Sequence, residues 1–118
     1  MIIRKEDQPV AVKEKVQQGQ GQVHFRYFLE EKDACGAGRL FAVITLREGE
    51  SIGPHPHEGE YELYYILSGE ASVLDNGEPY TLLPGDMMQC KNGDSHAVEN
   101  RRKEDLVFIA IILKDQTA

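Results

Sequence analysis

Short apolar runs separated by turn residues recur along most of the chain. β-Branched and aromatic residues dominate these runs, which is typical of strands that pack on a hydrophobic core. The sharpest turn signal is Asp75-Asn76-Gly77, because Asn-Gly suits the left-handed turns that close short hairpins. Many short strands with frequent turns favour an all-β sandwich or barrel. Strands are predicted over residues 23–30, 39–47, 61–68, 71–74, 80–83, 87–91, 95–99 and 105–113.

The segment before the first predicted strand favours a helix. Residues 9–18 have room for about two turns of α-helix. Gly19 and Gly21 follow, and glycine is the residue at which helices commonly end. We therefore expect a short N-terminal helical segment beside the strands.

The predicted strand 61–68 is apolar on both faces. Side chains alternate along a strand, so Glu62, Tyr64 and Ile66 share one face. If that face points inward, the opposite face presents Leu63, Tyr65 and Leu67. A strand that is apolar on both sides is covered on both sides, either by another sheet layer or by a second subunit. We expect a homodimer.

Composition narrows the classes of function. A chain of 118 residues predicts one domain, residues 1–118. The formal net charge of −7 argues against a nucleic-acid partner. The start of the sequence lacks the apolar core of a signal peptide, and the longest apolar run, 106–113, is too short to span a bilayer. We expect a cytoplasmic protein with no membrane partner, in which Cys35 and Cys90 are free thiols.

The histidines point to a metal site. The chain has 4 histidines, and three of them fall in two short stretches. His55 and His57 are two residues apart, so on an extended segment both rings point to one face. Glu62 opens the next strand-like run and His96 comes from a later one. Neutral imidazole and carboxylate are common ligands of first-row divalent metals, so we predict that these four residues hold one divalent ion.

The residues around this set resemble the two conserved motifs of the cupin superfamily. The first stretch has Gly49, His55, His57, Glu62 and Gly69 at the expected spacings, and the second has Gly85, Gly93, His96 and Asn100. One position departs from the pattern, because Lys91 stands where a turn-forming proline is usual. The flanking runs GRLFAVITL and DLVFIAIIL also look like those of small bacterial single-domain cupins, or monocupins.

The resemblance implies a double-stranded β-helix, also called a jelly-roll barrel, with its metal site inside. The core barrel would cover about residues 39–113, and the two motifs would cover residues 49–69 and 85–100. The chemistry of the superfamily is broad and includes dioxygenases, isomerases, decarboxylases, regulators and storage proteins. The resemblance therefore predicts a fold and a ligand set, and it leaves the reaction open.

Four protein ligands on an octahedral metal would leave two adjacent positions for water or a small acid. A carboxylate or 2-oxo acid with two oxygen donors could replace both waters, with the metal acting as Lewis acid, template or redox centre. An open six-coordinate site favours manganese or iron, while zinc, nickel or cobalt is also compatible with the ligands.

Two functions fit these expectations. The first is an enzyme, either an oxidoreductase, a decarboxylase or an isomerase acting on a small oxygen-rich metabolite. The second is a non-catalytic module that binds or senses such a molecule, and a metal that only stabilises the fold is a further alternative. The sequence assigns no catalytic residue and no other cofactor. It also leaves open the roles of Tyr64, Glu58, Glu60, His24 and Cys90.

Overall fold

Ten antiparallel strands form two sheets in the computed structural model, which describes residues 1–118. The strands are β1 (Val10–Glu14), β2 (Gln22–Tyr27), β3 (Gly38–Leu46), β4 (Ser51–Pro56), β5 (Glu60–Ser68), β6 (Ala71–Asp75), β7 (Glu78–Leu82), β8 (Met87–Cys90), β9 (Ser95–Glu99) and β10 (Leu106–Lys114). The six-stranded sheet has the order β1-β2-β3-β10-β5-β8, and the four-stranded sheet has the order β4-β9-β6-β7. Helical structure is limited to three short 3₁₀ turns, Lys5–Asp7, Val16–Gln18 and Glu31–Asp33, so no helix has the length needed to cross a membrane.

The core lies between the inner faces of the two sheets. Alternate residues of β3, β5 and β10 point inward, and the fully buried Ile44, Tyr64 and Phe108 belong to this set. The four-stranded sheet contributes residues such as Val73 and Val98 from its own inner face. Burying these apolar side chains is the main stabilising contribution to such a sandwich. The predicted all-β jelly-roll fold is confirmed.

The predicted N-terminal helix is wrong. Residues Val10–Glu14 form β1, which pairs along its whole length with β2, and only Val16–Gln18 turns as a 3₁₀ helix. Helix propensity is a weak preference over so few residues, and a free sheet edge next to the segment offers five backbone partners instead. Val10 and Val12 then lie on the outer face of the sheet, 74% and 54% exposed.

Strand β4 is the other element that the pattern does not predict. Its sequence, SIGPHP, contains a glycine and two prolines, which normally argue against a strand. The strand lies at the edge of the four-stranded sheet, where proline removes no necessary hydrogen bond from a second neighbour. The remaining strands agree with the predicted ranges to within a few residues.

The segment after β1 packs very closely on β4. A Cβ atom added to Gly53 would lie 2.1 Å from the carbonyl oxygen of Gln17, and one added to Gly19 would lie 2.3 Å from that of Ser51. The backbone amide of Ser51 donates to the Gln20 carbonyl at 3.0 Å. Glycine at positions 19 and 53 therefore lets the two backbones meet and places Gln17 against the strand that carries His55.

Asn100 connects the two motifs inside the protein. Its side-chain amide is fully buried and donates to the carbonyls of Leu46 at 2.9 Å and Glu104 at 2.8 Å. Its side-chain oxygen accepts from the backbone amide of Arg102 at 2.9 Å, and its backbone carbonyl accepts from Gly49 at 2.8 Å. The turn before β4 and the loop after β9 are thus fixed to each other, which holds β4 and β9 in register.

We predict that Asn100→Ala lowers the free energy of unfolding by about 3 kcal/mol, because it leaves buried backbone groups without partners. Urea denaturation followed by circular dichroism measures the change. The control is Asn92→Ala, which removes an exposed asparagine whose side chain also makes hydrogen bonds. Its expected loss is less than about 1 kcal/mol, and equal losses in the two variants would contradict the role given to Asn100.

Candidate metal centre

The four predicted ligands meet in one place between the two sheets. His55 is on β4, His57 follows the last residue of β4, and His96 is on β9, the neighbouring strand of the same sheet. Glu62 reaches them from β5, which belongs to the opposite sheet. All four side chains are buried, and their ligand atoms lie within 4.8 Å of one another.

A β-bulge turns His55 toward this cluster. Ile52 pairs with Val98 and His55 pairs with His96, so β4 uses one residue more than β9 over the same distance. Alternation alone would place Ile52 and His55 on opposite faces, whereas both are buried. The extra residue lies in the Gly53-Pro54 part of the strand, beside the close contact with Gln17.

His57 keeps the same orientation beyond the end of the strand. Its backbone amide donates to the Asp94 carbonyl at 3.1 Å, and its carbonyl accepts from the Gly93 amide at 2.7 Å. The chain therefore stays extended for two residues past His55, and the two imidazoles share a face as the spacing predicts.

Each ligand atom lies within hydrogen-bonding distance of another. Nε2 of His57 and Nε2 of His96 each lie 2.9 Å from Oε1 of Glu62, and Nε2 of His55 lies 3.8 Å from it. Nε2 of His96 is 3.0 Å from Nε2 of His55 and 3.2 Å from Nε2 of His57. Three ring nitrogens and a carboxylate oxygen thus converge on one small volume.

Hydrogen bonds on the far side of two rings determine which nitrogen faces the cluster with a lone pair. Nδ1 of His55 lies 2.7 Å from the Gly53 carbonyl, and Nδ1 of His57 lies 2.7 Å from Oε2 of Glu60. Both acceptors require a proton on Nδ1, so both Nε2 atoms carry lone pairs in the neutral ring. Lone pairs and a carboxylate directed at one point fit a divalent cation, which would replace their mutual repulsion by coordination.

An ion pair behind His57 extends the cluster toward the surface. Arg39 contacts Glu60 with two hydrogen bonds, Nε to Oε1 at 2.9 Å and Nη2 to Oε2 at 2.8 Å. The hydrogen bond from Arg39 lowers the pKa of Glu60, which stays ionised and accepts from His57. The sequence left the role of Glu60 open. Sequence reasoning missed Arg39, because residues 39 and 60 come together only when β3 and β5 flank β10.

Burial and the contacts within the cluster shift the pKa values of its members. Burial alone would raise the pKa of Glu62, but the three imidazoles, which donate to its carboxylate when their Nε2 atoms are protonated, more than offset this and hold that pKa well below its usual value. Burial lowers the pKa of His96, whereas for His57 the two carboxylates outweigh burial and raise the pKa. The site therefore presents an ionised carboxylate to any cation that enters it.

A small cavity adjoins the cluster. Its volume is about 210 Å³. His55, His57 and Glu62 form one side, and the segments that contain β1, the following 3₁₀ turn, β2 and β3 supply the other side. That other side includes Lys13, Val16, Gln17, Phe25, Arg39, Leu40 and Ile44. The segment predicted as a separate helix is thus a wall of the candidate site.

The profile of the family described as a cupin domain matches residues 42–112, which include all four members of the cluster. The chain belongs to the cupin family. This cupin is 41% identical over 95 residues to an oxalate-binding protein of Thermotoga maritima, covering 80% of this chain and 78% of the relative.

Solved structures agree with this assignment. A crystal structure from Thermotoga maritima, described as that of a predicted oxalate decarboxylase, is 36% identical with a TM-score of 0.93 and covers 98% of this chain and 100% of its own. The structure of KdgF from Halomonas sp. has a TM-score of 0.75 at 15% identity, covers 99% of this chain and 96% of its own, and shows the fold alone. The resemblance to the cupin superfamily is confirmed.

The structure also places the residues whose roles the sequence left open. Tyr64 is 1% exposed and stacks on the His96 ring, with centroids 4.7 Å apart and planes at 17°. It also lines the cavity, so it is both a core residue and a wall of the site. Cys90 is buried outside the group of four, and burial raises the pKa of its thiol to about 11, which makes it an inert apolar residue at neutral pH. Glu58 is exposed, and His24 lies on β2, away from the cluster.

We predict that the purified cupin contains about one divalent metal ion per chain and that His57→Ala loses most of it. Elemental analysis by mass spectrometry measures the metal. His24→Ala is the matched control, because it removes the one histidine outside the cluster and should keep its metal. Full metal content in His57→Ala would contradict the assignment of the ligands.

Proposed function

We propose that this cupin binds a small oxygen-rich acid, either a carboxylate or a 2-oxo acid, through one divalent metal held by His55, His57, Glu62 and His96. The observation that carries the proposal is the convergence of three Nε2 atoms and one carboxylate oxygen at the side of a cavity. The donor set suits manganese or iron best among the first-row metals, with zinc, nickel and cobalt also compatible.

The size of the cavity limits the ligand. A volume of about 210 Å³ is below the range of roughly 300–1,000 Å³ that is usual for pockets holding drug-sized molecules. A ligand with few non-hydrogen atoms fits this space completely. The related protein named for oxalate binding supports oxalate as the first acid to test.

The polar groups of the cavity favour binding over catalysis. A bound divalent metal would supply Lewis acidity and a template for two oxygen donors. Among the groups that could move a proton, Glu60 is already bonded to both Arg39 and His57, and burial raises the pKa of Tyr64, so its phenol stays protonated. Apart from Glu62, no carboxylate lines the cavity. The chain thus offers no free acid–base pair next to the cluster.

Decarboxylation is the second candidate, because the similar crystal structure with a TM-score of 0.93 is described as a predicted oxalate decarboxylase. Oxidation or isomerisation of a small acid would use the same ligands. These reactions differ from binding in one measurable way, which is consumption of the acid or of O₂ by the metal-loaded protein.

We predict that oxalate and small 2-oxo acids change the visible spectrum of the cobalt-substituted protein and that removal of the metal abolishes the change. Titration followed by absorption spectroscopy gives the affinity, and gas and acid analysis of the same samples detects turnover. Turnover that disappears in Glu62→Gln with metal retained would favour the enzyme. A site that binds no acid, in a protein whose melting temperature falls sharply without metal, would be structural only and would contradict the proposal.

We further propose that the functional form is a homodimer, formed by the outer face of the six-stranded sheet. Tyr65, Leu67 and Met87 are 47%, 44% and 50% exposed on this face. The neighbouring side chains of Ile109 and Ile111 on β10 point the same way and are half-buried. Such a continuous apolar surface is typical of an interface, and two copies related by a two-fold axis would cover it with the same patch on each.

We predict that Tyr65→Glu converts a dimer into a monomer, because it places an unpaired charge in the centre of this face. Light scattering coupled to size-exclusion chromatography gives the mass in solution. Tyr80→Glu is the matched control, since Tyr80 is 57% exposed on β7 of the other sheet. A monomeric wild-type protein would refute the dimer.

A further inference from the structure

Two cationic side chains line the cavity, and only one of them has an anionic partner. Arg39 is bonded to Glu60 through both ends of the carboxylate, so its charge is already compensated. Lys13 also lines the cavity, and its ammonium group makes no hydrogen bond and no ion pair with any residue of the chain. The uncompensated positive charge beside the cluster is therefore that of Lys13.

The structure holds Lys13 at this wall through β1. Lys13 pairs with Val23 and Ala11 pairs with Phe25, so these residues share the inner face of the strand, and Val10 and Val12 take the outer face. Nζ of Lys13 lies 5.1 Å from the ring centroid of Phe25, whose side chain is 8% exposed and also lines the cavity. Lys13 is exposed, so its ammonium group lies over the Phe25 ring at a part of the cavity wall that solvent reaches.

The backbone that follows Lys13 has several residues in the left-handed conformation. Lys15, Gln17 and Gln18 all have positive φ, at 49°, 52° and 64°, although none is a glycine. Left-handed conformations are unfavourable for such residues and persist where the surrounding structure imposes them. The Gln17 carbonyl lies against Gly53 in this segment, and Gln17 lines the same cavity as Lys13.

We propose that Lys13 is the residue that makes this site select small dianions over small monoanions. The inference rests on the proposed function and adds the class of ligand. Glu62 and a divalent metal together carry one net positive charge, and Arg39 and Glu60 cancel. A monoanion neutralises the centre alone, whereas a dianion leaves one negative charge that the ammonium group of Lys13 compensates. A dicarboxylate such as oxalate therefore suits the site better than a ligand of the same size with a single charge.

A different role for Lys13 would leave selectivity unchanged. β1 is an edge strand, and an inward-pointing lysine on an edge strand can serve to prevent pairing with other chains. In that role the loss of the charge would promote aggregation and would affect every ligand equally, or none. The two roles are separated by comparing ligands that differ only in charge.

The test compares oxalate with oxamate, a monoanion of nearly the same shape, by calorimetry on the manganese-loaded protein. We expect wild type to prefer oxalate, and Lys13→Met to weaken oxalate binding by about two- to fivefold, as is usual for an exposed charge, while oxamate binding changes little. Lys13→Arg should restore most of the preference. Lys103→Met, which removes one exposed positive charge far from the cavity, should behave as wild type.

Metal content and melting temperature are measured for each variant, and Lys13→Gln replaces Lys13→Met if the latter aggregates. The inference is overturned if both acids bind to the wild type and the Lys13 variants weaken them equally or not at all. If the wild type retains its metal and binds neither acid, the proposed function fails as well, which distinguishes the two failures.

Discussion

Three imidazole Nε2 atoms and a carboxylate are buried against one another in this protein, and the rest of the site is arranged to hold them there. Nitrogen atoms of three rings lie about as close to each other as hydrogen-bonded groups do, at 3.0 and 3.2 Å for two of the pairs. Burial of unpaired polar groups is unfavourable by several kcal/mol in apolar surroundings. A cation held by these four groups would satisfy them together, and its binding would then contribute to the free energy of folding.

Regular sheet geometry alone would not assemble this cluster. His55 and Ile52 both face inward only because a bulge adds one residue to β4. The bulge is located where Gly53 allows the backbone of Gln17 to approach, and Asn100 holds the adjoining turn to the loop after β9. Gly53 and Asn100 thus have a mechanical role, since they determine where the ligand-bearing strands lie relative to each other.

The parts of this structure that the sequence predicts are those encoded by local periodicity or by close spacing. Alternation along residues 61–68 correctly separates Glu62, Tyr64 and Ile66 from Tyr65 and Leu67. The ligand set could be proposed because three of its members lie within eight residues of each other and match a family pattern.

What the sequence could not predict depends on contacts between distant segments. β1 forms because a sheet edge is available, β4 tolerates its prolines because it is an edge strand, and Arg39 joins the site through Glu60 from another strand. The role of Lys13 depends on the same information, because the cavity wall exists only after β1 has paired with β2. Each of these features requires knowledge of which strands become neighbours.

The ion pair between Arg39 and Glu60 has a consequence for the electronic character of a bound metal. Glu60 accepts hydrogen bonds from both the Arg39 guanidinium and the Nδ1–H group of His57. The bond from Nδ1–H increases the electron density on the His57 ring, and Arg39 weakens this effect because it draws on the same carboxylate. The side chain of Arg39 is 54% exposed, so dissolved salt screens its charge. If a metal is bound by His57, ionic strength and substitutions at this surface arginine would adjust the donor strength of that buried ring, and with it the Lewis acidity of the metal, without changing the coordinating atoms.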